Sequence, residues 1–422
     1  MYQRRIVDSE LDTLLPELPA IAIDGPKGVG KTETCLQRAA TVFRMDDPQS
    51  AAGLVADPRI VTQVSPPVLV DEWQHYPPVW DAVRRAVDEG ALPGSFLLAG
   101  SAVPTEKPTH SGAGRIVSLR MRPMSLAERG LQDATVSIAG LLAGERPAIA
   151  GASSMGLREY AREITQSGFP GIRKLAERAR RTQLDSYLTR ALERDLADEH
   201  GVVVRRPDSL RAWLTAYASA SSSTASYEAI RAAATPGEAE PPSKTTAIRY
   251  RDWLTALWLL DPVPAWAPLS GARVRLASAP KHQLADPALV TRLLNVDVPK
   301  LLTGEGRVLS PQAGNLMGSL FESLATLTVR AAAHAAEARV SHVRTSRGEH
   351  EVDLIAERYD GNIVAFEVKL SGAIHDHHVK HLHWFRETYG SRVVDLVAIT
   401  TGTYAYRRQD GVAVVPLALL GE

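Results

Sequence analysis

Eight consecutive residues, Gly25-Pro26-Lys27-Gly28-Val29-Gly30-Lys31-Thr32, constrain this chain more than any other stretch. They follow the apolar run 20–24 and open a helical pattern, which is the strand–loop–helix setting that a phosphate-cradling loop requires. Its glycines let the backbone wrap closely and aim N–H groups at phosphate oxygens. A helix starting near Gly30 adds the positive end of its dipole. Lys31 is placed to reach the terminal phosphates, and the Thr32 hydroxyl to bind Mg²⁺. All eight residues form the expected binding set, with ATP and Mg²⁺ as the expected cofactors.

A second apolar run, 67–70, ends in Asp71-Glu72. Two acids at the end of a buried strand suit the same chemistry: Asp71 holds Mg²⁺ through water, and Glu72 polarises the attacking water as a general base. A third strand pattern, 95–99, is followed by Gly100-Ser101, and Ser101 is the candidate sensor of the terminal phosphate. Arg115, ahead of an alternating run that ends at Arg120, is a candidate charge stabiliser, within its own chain or as a finger to a neighbour; Arg44, Arg120 and Arg122 compete for that role. Strands alternating with helical segments at 31–43 and 77–90 imply an α/β fold, a parallel sheet with helices on both faces. Ligands of such sheets sit at the C-terminal strand ends.

Residues 157–200 read as long helices broken at Phe169-Pro170-Gly171. Leu184, Leu188, Leu192 and Leu196 recur every fourth position as a core stripe, whereas Arg178, Arg180 and Arg181 read as a solvated face. The Ser/Ala/Thr stretch 219–226 caps a short helix at 227–233, and 235–242 is a loop. A stronger helix spans 243–260, followed by short runs at 263–266 and 273–276. Short helix, turn, longer helix and ribbon resemble a winged helix, with Lys244, Arg249 and Arg251 facing outward; some winged helices grip DNA and others bind only protein.

In the last third, 315–333 is helical with Leu316, Leu320, Leu324 and Leu327 on one stripe and Glu322 beside it. Two strands follow, 351–357 and 362–370, joined at Tyr359-Asp360-Gly361. A three-residue hairpin loop with Gly361 left-handed places Asp353 opposite Glu367 on one face; a two-residue loop puts them on opposite faces. Glu367 and Lys369 share a face in either register, because strand side chains alternate. Two carboxylates can bind Mg²⁺ through oxygen, and the lysine can position water or offset charge. Asp353, then Glu367-Val368-Lys369, with Glu322 arriving from a helix, resemble the PD-(D/E)XK nucleases, with Asp353 and Glu367 as metal ligands. A non-cutting relative of that fold is the alternative. The segment 375–383 carries five histidines, with His377 and His381 on one helix face; it reads as a solvated face or a phosphate contact before a dedicated metal site.

The formal net charge is zero, 48 basic against 48 acidic side chains, so no global pull towards nucleic acid or membrane is expected. Cys35 is the single cysteine, which fits a reducing cytosol, and no apolar stretch follows Arg4-Arg5 as a secretory signal would require. No run approaches the roughly 18 apolar residues of a membrane helix. The chain is expected in the cytoplasm.

Taken together, the sequence resembles a family of bacterial and archaeal AAA+-like ATPases that join a P-loop domain to a C-terminal domain of unknown function with winged-helix and PD-(D/E)XK-like parts. The resemblance rests on Gly25–Thr32, 68–72, Leu98-Ala99-Gly100-Ser101, Gly114-Arg115, 123–128, 168–171, Tyr187-Leu188, Arg194-Asp195, Ala285-Asp286-Pro287 and 318–322. Ala99 departs from the threonine more usual there. The resemblance implies ATP binding and marks Arg115 and Glu128 as family positions. The expected domains are an AAA+-like P-loop NTPase at 1–135, a helical connector at 136–206, a winged-helix-like part at 207–300 and a nuclease-like α/β part at 301–422. The expectation is an ATP-hydrolysing protein that acts on DNA or RNA, cutting it or serving as a nucleotide-switched regulator, and a homo-oligomer if Arg115 acts on a neighbour.

Overall fold

β1 (Ala20–Asp24), β2 (Thr41–Arg44), β3 (Val68–Asp71), β4 (Phe96–Gly100) and β5 (Val117–Arg120) form one parallel sheet in the order β2-β3-β4-β1-β5. β1, β3 and β4 are buried on both faces, which is why they read as unbroken apolar runs rather than alternating ones. The computed structural model describes residues 2–101, 112–202, 204–235, 240–268, 276–277, 279–306, 308–309 and 315–422. The helix expected at 31–43 stops at Leu36, and Thr41–Arg44 is strand β2 instead. The β-branched and aromatic run Thr41-Val42-Phe43 pairs with Val68–Val70, and this tertiary pairing overrides the helical pattern. The helix expected at 77–90 spans Pro78–Asp88.

The middle of the chain is helical. Leu184, Leu188, Leu192 and Leu196 are all buried, as the four-residue spacing predicts, and a π-type turn, Ala191–Asp195, interrupts the helix among them. Helices Pro207–Ala218, Tyr227–Ala233 and Lys244–Ala256 pack together, the last two capped by Ser226 and Ser243. After them, residues 260–263 run antiparallel to 281–284 through the bridges Leu260↔Leu284 and Val263↔Lys281. Apart from Leu276, the ribbon expected at 273–276 lies outside the described residues, as do 236–239 of the expected loop.

Two short strands, β6 (Val136–Ser137) and β7 (Gly151–Ala152), come before the C-terminal strands: β8 (Ala338–Arg344), β9 (Glu351–Arg358), β10 (Ile363–Val368), β11 (Val393–Thr400), β12 (Tyr404–Arg407), β13 (Ala413–Pro416) and β14 (Leu420–Gly421). The second sheet is mixed, in the order β7-β12-β13-β11-β10-β9-β8, and β14 pairs separately with β6. Of the strands within 136–152, β7 joins the C-terminal sheet through β12, and β6 pairs with β14 outside it. The helix Leu316–Ala335 buries its Leu316, Leu320, Leu324 and Leu327 stripe and packs on the helix Ile6–Leu14 as well as on β8.

A buried carboxylate joins the layers. Asp261 meets Arg122 at 2.7 Å, Arg330 at 3.1 Å and Arg120 at 3.4 Å. Burial alone would raise its pKa, but the three guanidinium groups hold it far below the usual carboxylate range. Among the described residues no helix is long and apolar enough to cross a membrane.

Candidate functional site

The loop Gly25–Thr32 leaves β1 at the C-terminal edge of the first sheet and enters the helix Lys31–Leu36. A Cβ on Gly25 would sit 2.1 Å from the Met121 carbonyl oxygen, so the close approach of backbone to backbone requires glycine. Gly28 and Gly30 are left-handed, with φ of 80° and 103°. Lys31 is buried and donates to the carbonyl oxygens of Gly25 (2.8 Å) and Pro26 (3.0 Å). Burial pulls its amine below the usual lysine range, opposed by Glu72 and Asp71. The Thr32 hydroxyl donates to Asp71 at 2.9 Å, so the two oxygen ligands expected for Mg²⁺ stand side by side. This donor set fits the ion. Burial raises the Asp71 carboxyl, with Thr32 pulling the other way.

Glu72 leaves β3 in a left-handed conformation, φ 51°. Its Oε2 accepts from Ser101 Oγ at 2.7 Å and from Gln74 Nε2 at 2.5 Å, and Gln74 also donates to Ser101 at 3.1 Å. Ser101 thus orients the candidate base; Gln74, which carries no motif signal, completes the triangle. Glu128 has a bracing role: it accepts from Arg5 Nε (2.9 Å) and the backbone N–H groups of Ile6 (2.8 Å) and Ser125 (2.7 Å), while Arg5 Nη1 donates to Val29 O (2.8 Å). Beside this brace a cleft of about 250 Å³ opens between Tyr2, Val29, Gly30, Met121 and Pro170.

The helical middle covers the loop from the other side. Lys27 meets Asp195 at 3.0 Å, the acid presented by the π-type turn. Cβ atoms on Gly28 and Gly30 would lie 3.9 Å from Phe169 Cδ1 and Pro170 Cγ, so residues 168–171 rest on the phosphate loop. Their position is fixed by Asp286, fully buried, which accepts from Ser167 Oγ (2.5 Å), Gly168 N (2.7 Å) and Ala288 N (2.9 Å).

Arg115 is not brought to this site. It meets Asp88 at 2.8 Å, at the end of the helix Pro78–Asp88 that returns to the N-terminal edge of the sheet. Arg115 precedes β5 at that same edge, opposite the phosphate loop, so a role within its own chain does not fit the fold. Arg120 and Arg122 are committed to Asp261, and Arg44 is exposed at the end of β2.

A second pocket, of about 460 Å³, lies on the C-terminal sheet. The pairing Phe366↔Leu354 continues to put Glu367 opposite Asp353, and Gly361 is left-handed with φ 87°, as the three-residue loop predicts. Glu322, Glu351, Asp353, Glu367 and Lys369 line the pocket, with His377, His378 and His381 at its rim. Lys369 donates to Glu367 Oε1 at 2.5 Å, while Glu367 Oε2 is buried without a hydrogen-bond partner. Burial and the neighbouring Asp353 push the Glu367 carboxyl up to about 8. Burial likewise lifts Glu322 to about 8, although Lys281 opposes it.

The sequence gives no hint of the residue at the centre. Lys281, 1% exposed, sits among the acids, with Nζ 2.8 Å from Glu322, 3.0 Å from Asp353 and 3.3 Å from Glu351. Burial would raise Asp353, but Lys281 and then Lys369 hold it below the usual range. Lys281 Nζ therefore occupies the space between these oxygens, and among the described residues no group of three or more His, Cys, Asp or Glu is placed to hold a metal ion. This arrangement does not fit a divalent ion.

Residues 17–129 match the family described as "AAA domain", and the N-terminal part is accordingly an AAA-type P-loop domain. Residues 157–300 and 317–420 match two families described as domains of unknown function, DUF8612 and DUF4143. The chain is similar to the uncharacterized proteins Mb2031c of Mycobacterium bovis and Rv2008c of Mycobacterium tuberculosis, each 28% identical over 305 residues. The match covers 70% of this chain and only 61% of each relative. Among solved structures it is similar to the Walker-type ATPase PABY2304 of Pyrococcus abyssi (15% identity, 69% of this chain and 96% of that one, TM-score 0.40). It is also similar to the ORC2 protein of Aeropyrum pernix (16% identity, 70% and 91%, TM-score 0.25).

Proposed function

We propose that this chain is an ATP-hydrolysing switch that relays the state of its phosphate loop to the C-terminal pocket. The observation that carries this reading is Asp286. It grips Ser167 and Gly168, so that Phe169 and Pro170 lie against the loop glycines, and it stands two residues beyond the strand-like run 281–284 that begins with Lys281 in the pocket. A movement of residues 168–171 on nucleotide binding therefore has a short, buried path to the carboxylates.

At the nucleotide site, Lys31 exchanges its carbonyl partners for phosphate oxygens, and the backbone N–H groups of the loop hold the phosphates. Mg²⁺, held by Thr32 and Asp71, would neutralise phosphate charge. Glu72, steadied by Ser101 and Gln74, orients and deprotonates the attacking water. The order of three packed helices and a ribbon at 207–284 supports a winged-helix part, with the exposed Lys244 and Arg249 offered to a nucleic-acid backbone. Arg251 is partly withdrawn, paired with Asp252 at 2.9 Å.

A second reading, cleavage of DNA or RNA, draws on the convergence of Asp353 and Glu367. The deciding experiment combines ATP hydrolysis by wild type and Lys31→Ala with cleavage of labelled DNA and RNA in Mg²⁺ or Mn²⁺, with and without ATP. The switch reading expects hydrolysis lost in Lys31→Ala and no cleavage. Metal-dependent cleavage lost in Glu367→Ala and Lys369→Ala would replace it.

A further inference from the structure

We infer that Lys281 is the resident cation of the C-terminal carboxylate pocket, so that the pocket operates without a divalent metal and the metal site is latent beneath the lysine. This inference stands apart from the switch reading: a protein that failed to hydrolyse ATP would leave it untouched.

Three features support it. First, the contacts suit an ammonium: Nζ donates to Glu322 at 2.8 Å and Asp353 at 3.0 Å and is ion-paired with Glu351 at 3.3 Å. Second, the lysine cannot easily leave. Its side chain is buried, and its backbone is held on both sides, donating to and accepting from Val263 at 2.9 Å in each direction. To admit a metal, Nζ would have to travel out of a buried position and find three new partners, losing several charge-assisted hydrogen bonds. Third, Asp353 is committed elsewhere as well. Its Oδ2 accepts from Val368 N at 2.9 Å, while Oδ1 meets Lys281, so an ion would have to share both oxygens with partners already in place.

Removing the ammonium reverses the electrostatics. Glu322 and Asp353, with the partly exposed Glu351 beside them, would then lack the cation they surround, the condition under which a divalent ion binds oxygen ligands. A methionine at 281 keeps the length of the side chain and removes the charge.

The test is Mn²⁺ binding to the nucleotide-free full-length chain, read by electron paramagnetic resonance of free Mn²⁺. Asp71→Asn serves as the control for ion held at the phosphate loop. Wild type is expected to show no Mn²⁺ site that Asp353→Asn removes. Lys281→Met is expected to gain one site per chain, with at least 10-fold tighter binding than wild type, lost again when Asp353→Asn is added. Melting with and without Mn²⁺, both chains carrying Asp71→Asn, reads the same gain if Lys281→Met is too unstable for titration: Mn²⁺ should raise the melting temperature of the Lys281→Met chain and leave that of the chain with Lys281 unchanged. Should Lys281→Met not fold in either condition, wild type against Asp353→Asn decides alone. Wild-type Mn²⁺ binding abolished by Asp353→Asn would overturn the inference, and so would a folded Lys281→Met that gains no ion.

Discussion

Replacing Asp286 by alanine should both destabilise the protein and unseat the segment that lies on the phosphate loop. The carboxylate is fully buried and accepts three hydrogen bonds, from Ser167 Oγ, Gly168 N and Ala288 N. Hydrogen bonds to a charged group contribute roughly 1.5–3 kcal/mol each. Releasing a desolvated charge and admitting water offset part of that sum, so the net loss is about 3–5 kcal/mol. Asp286→Asn keeps an acceptor for Ala288 N but turns an amide donor towards Gly168 N–H, and should cost about 2 kcal/mol. At about 2–4 °C per kcal/mol, the alanine variant should melt on the order of 10 °C below wild type. Gly168 O also accepts from Met124 N at 2.7 Å, which ties the segment to 123–124, so the loop should shift as a unit. Amide hydrogen exchange across 167–171 should therefore accelerate in Asp286→Ala, and the KM for ATP should rise. A variant that melts within 2 °C of wild type, with unchanged exchange at 167–171, would refute the relay.

Three further outcomes follow from the two sites. Lys31→Ala should lower ATP hydrolysis by about 100-fold or more, whereas Ser101→Ala, which only releases Glu72, should lower kcat by about 10-fold with little change in KM; equal losses would contradict the positioning role of Ser101. Glu367 is raised to about 8 in the folded protein from 4.5, so its contribution to stability is fully present below about pH 4.5 and is lost as pH rises through 8. Raising the pH from 6 to 9 should cost wild type on the order of 2 kcal/mol through this group, and thermal melts of Glu367→Gln should lack that part of the slope. Arg115→Ala should leave the ATPase rate of dilute protein unchanged and cost under about 1 kcal/mol, because it removes only a partly exposed pair with Asp88; a fall in rate confined to concentrated protein would assign Arg115 to a neighbouring chain.

What the sequence conveyed best was local. The phosphate loop, the acids ending β3 and the register of the β9–β10 hairpin are each encoded within a dozen residues, where turn chemistry and alternation leave few choices. Glu322 was also legible, as an acid beside an apolar helical stripe. Lys281 was not: it carries no motif, and the carboxylates it meets are far along the chain, assembled only by the packing of a helix, a hairpin and an isolated ribbon strand. Asp286 was marked only as part of Ala285-Asp286-Pro287, without its contact to Gly168, and Gln74 was not marked at all, since its role depends on Ser101 rather than on its own neighbours. The misread helix at 31–43 marks the opposite case, in which a locally plausible pattern lost to the edge of a sheet.

The pairing of β6 with β14 and of β7 with β12 bears on how the chain is made. During synthesis Val136–Ser137 and Gly151–Ala152 leave the ribosome early, but their partners, Leu420–Gly421 and Tyr404–Ala405, arrive only after the helical middle and most of the second sheet. The first sheet can close while the chain is still growing, because its partners all lie within residues 20–120. The second cannot, and its early strand β7, like β6 outside it, waits unpaired through the slowest, least local step of folding. Synthesis of residues 404–421, rather than emergence of each lobe, is therefore the event that gives β6 and β7 their partners.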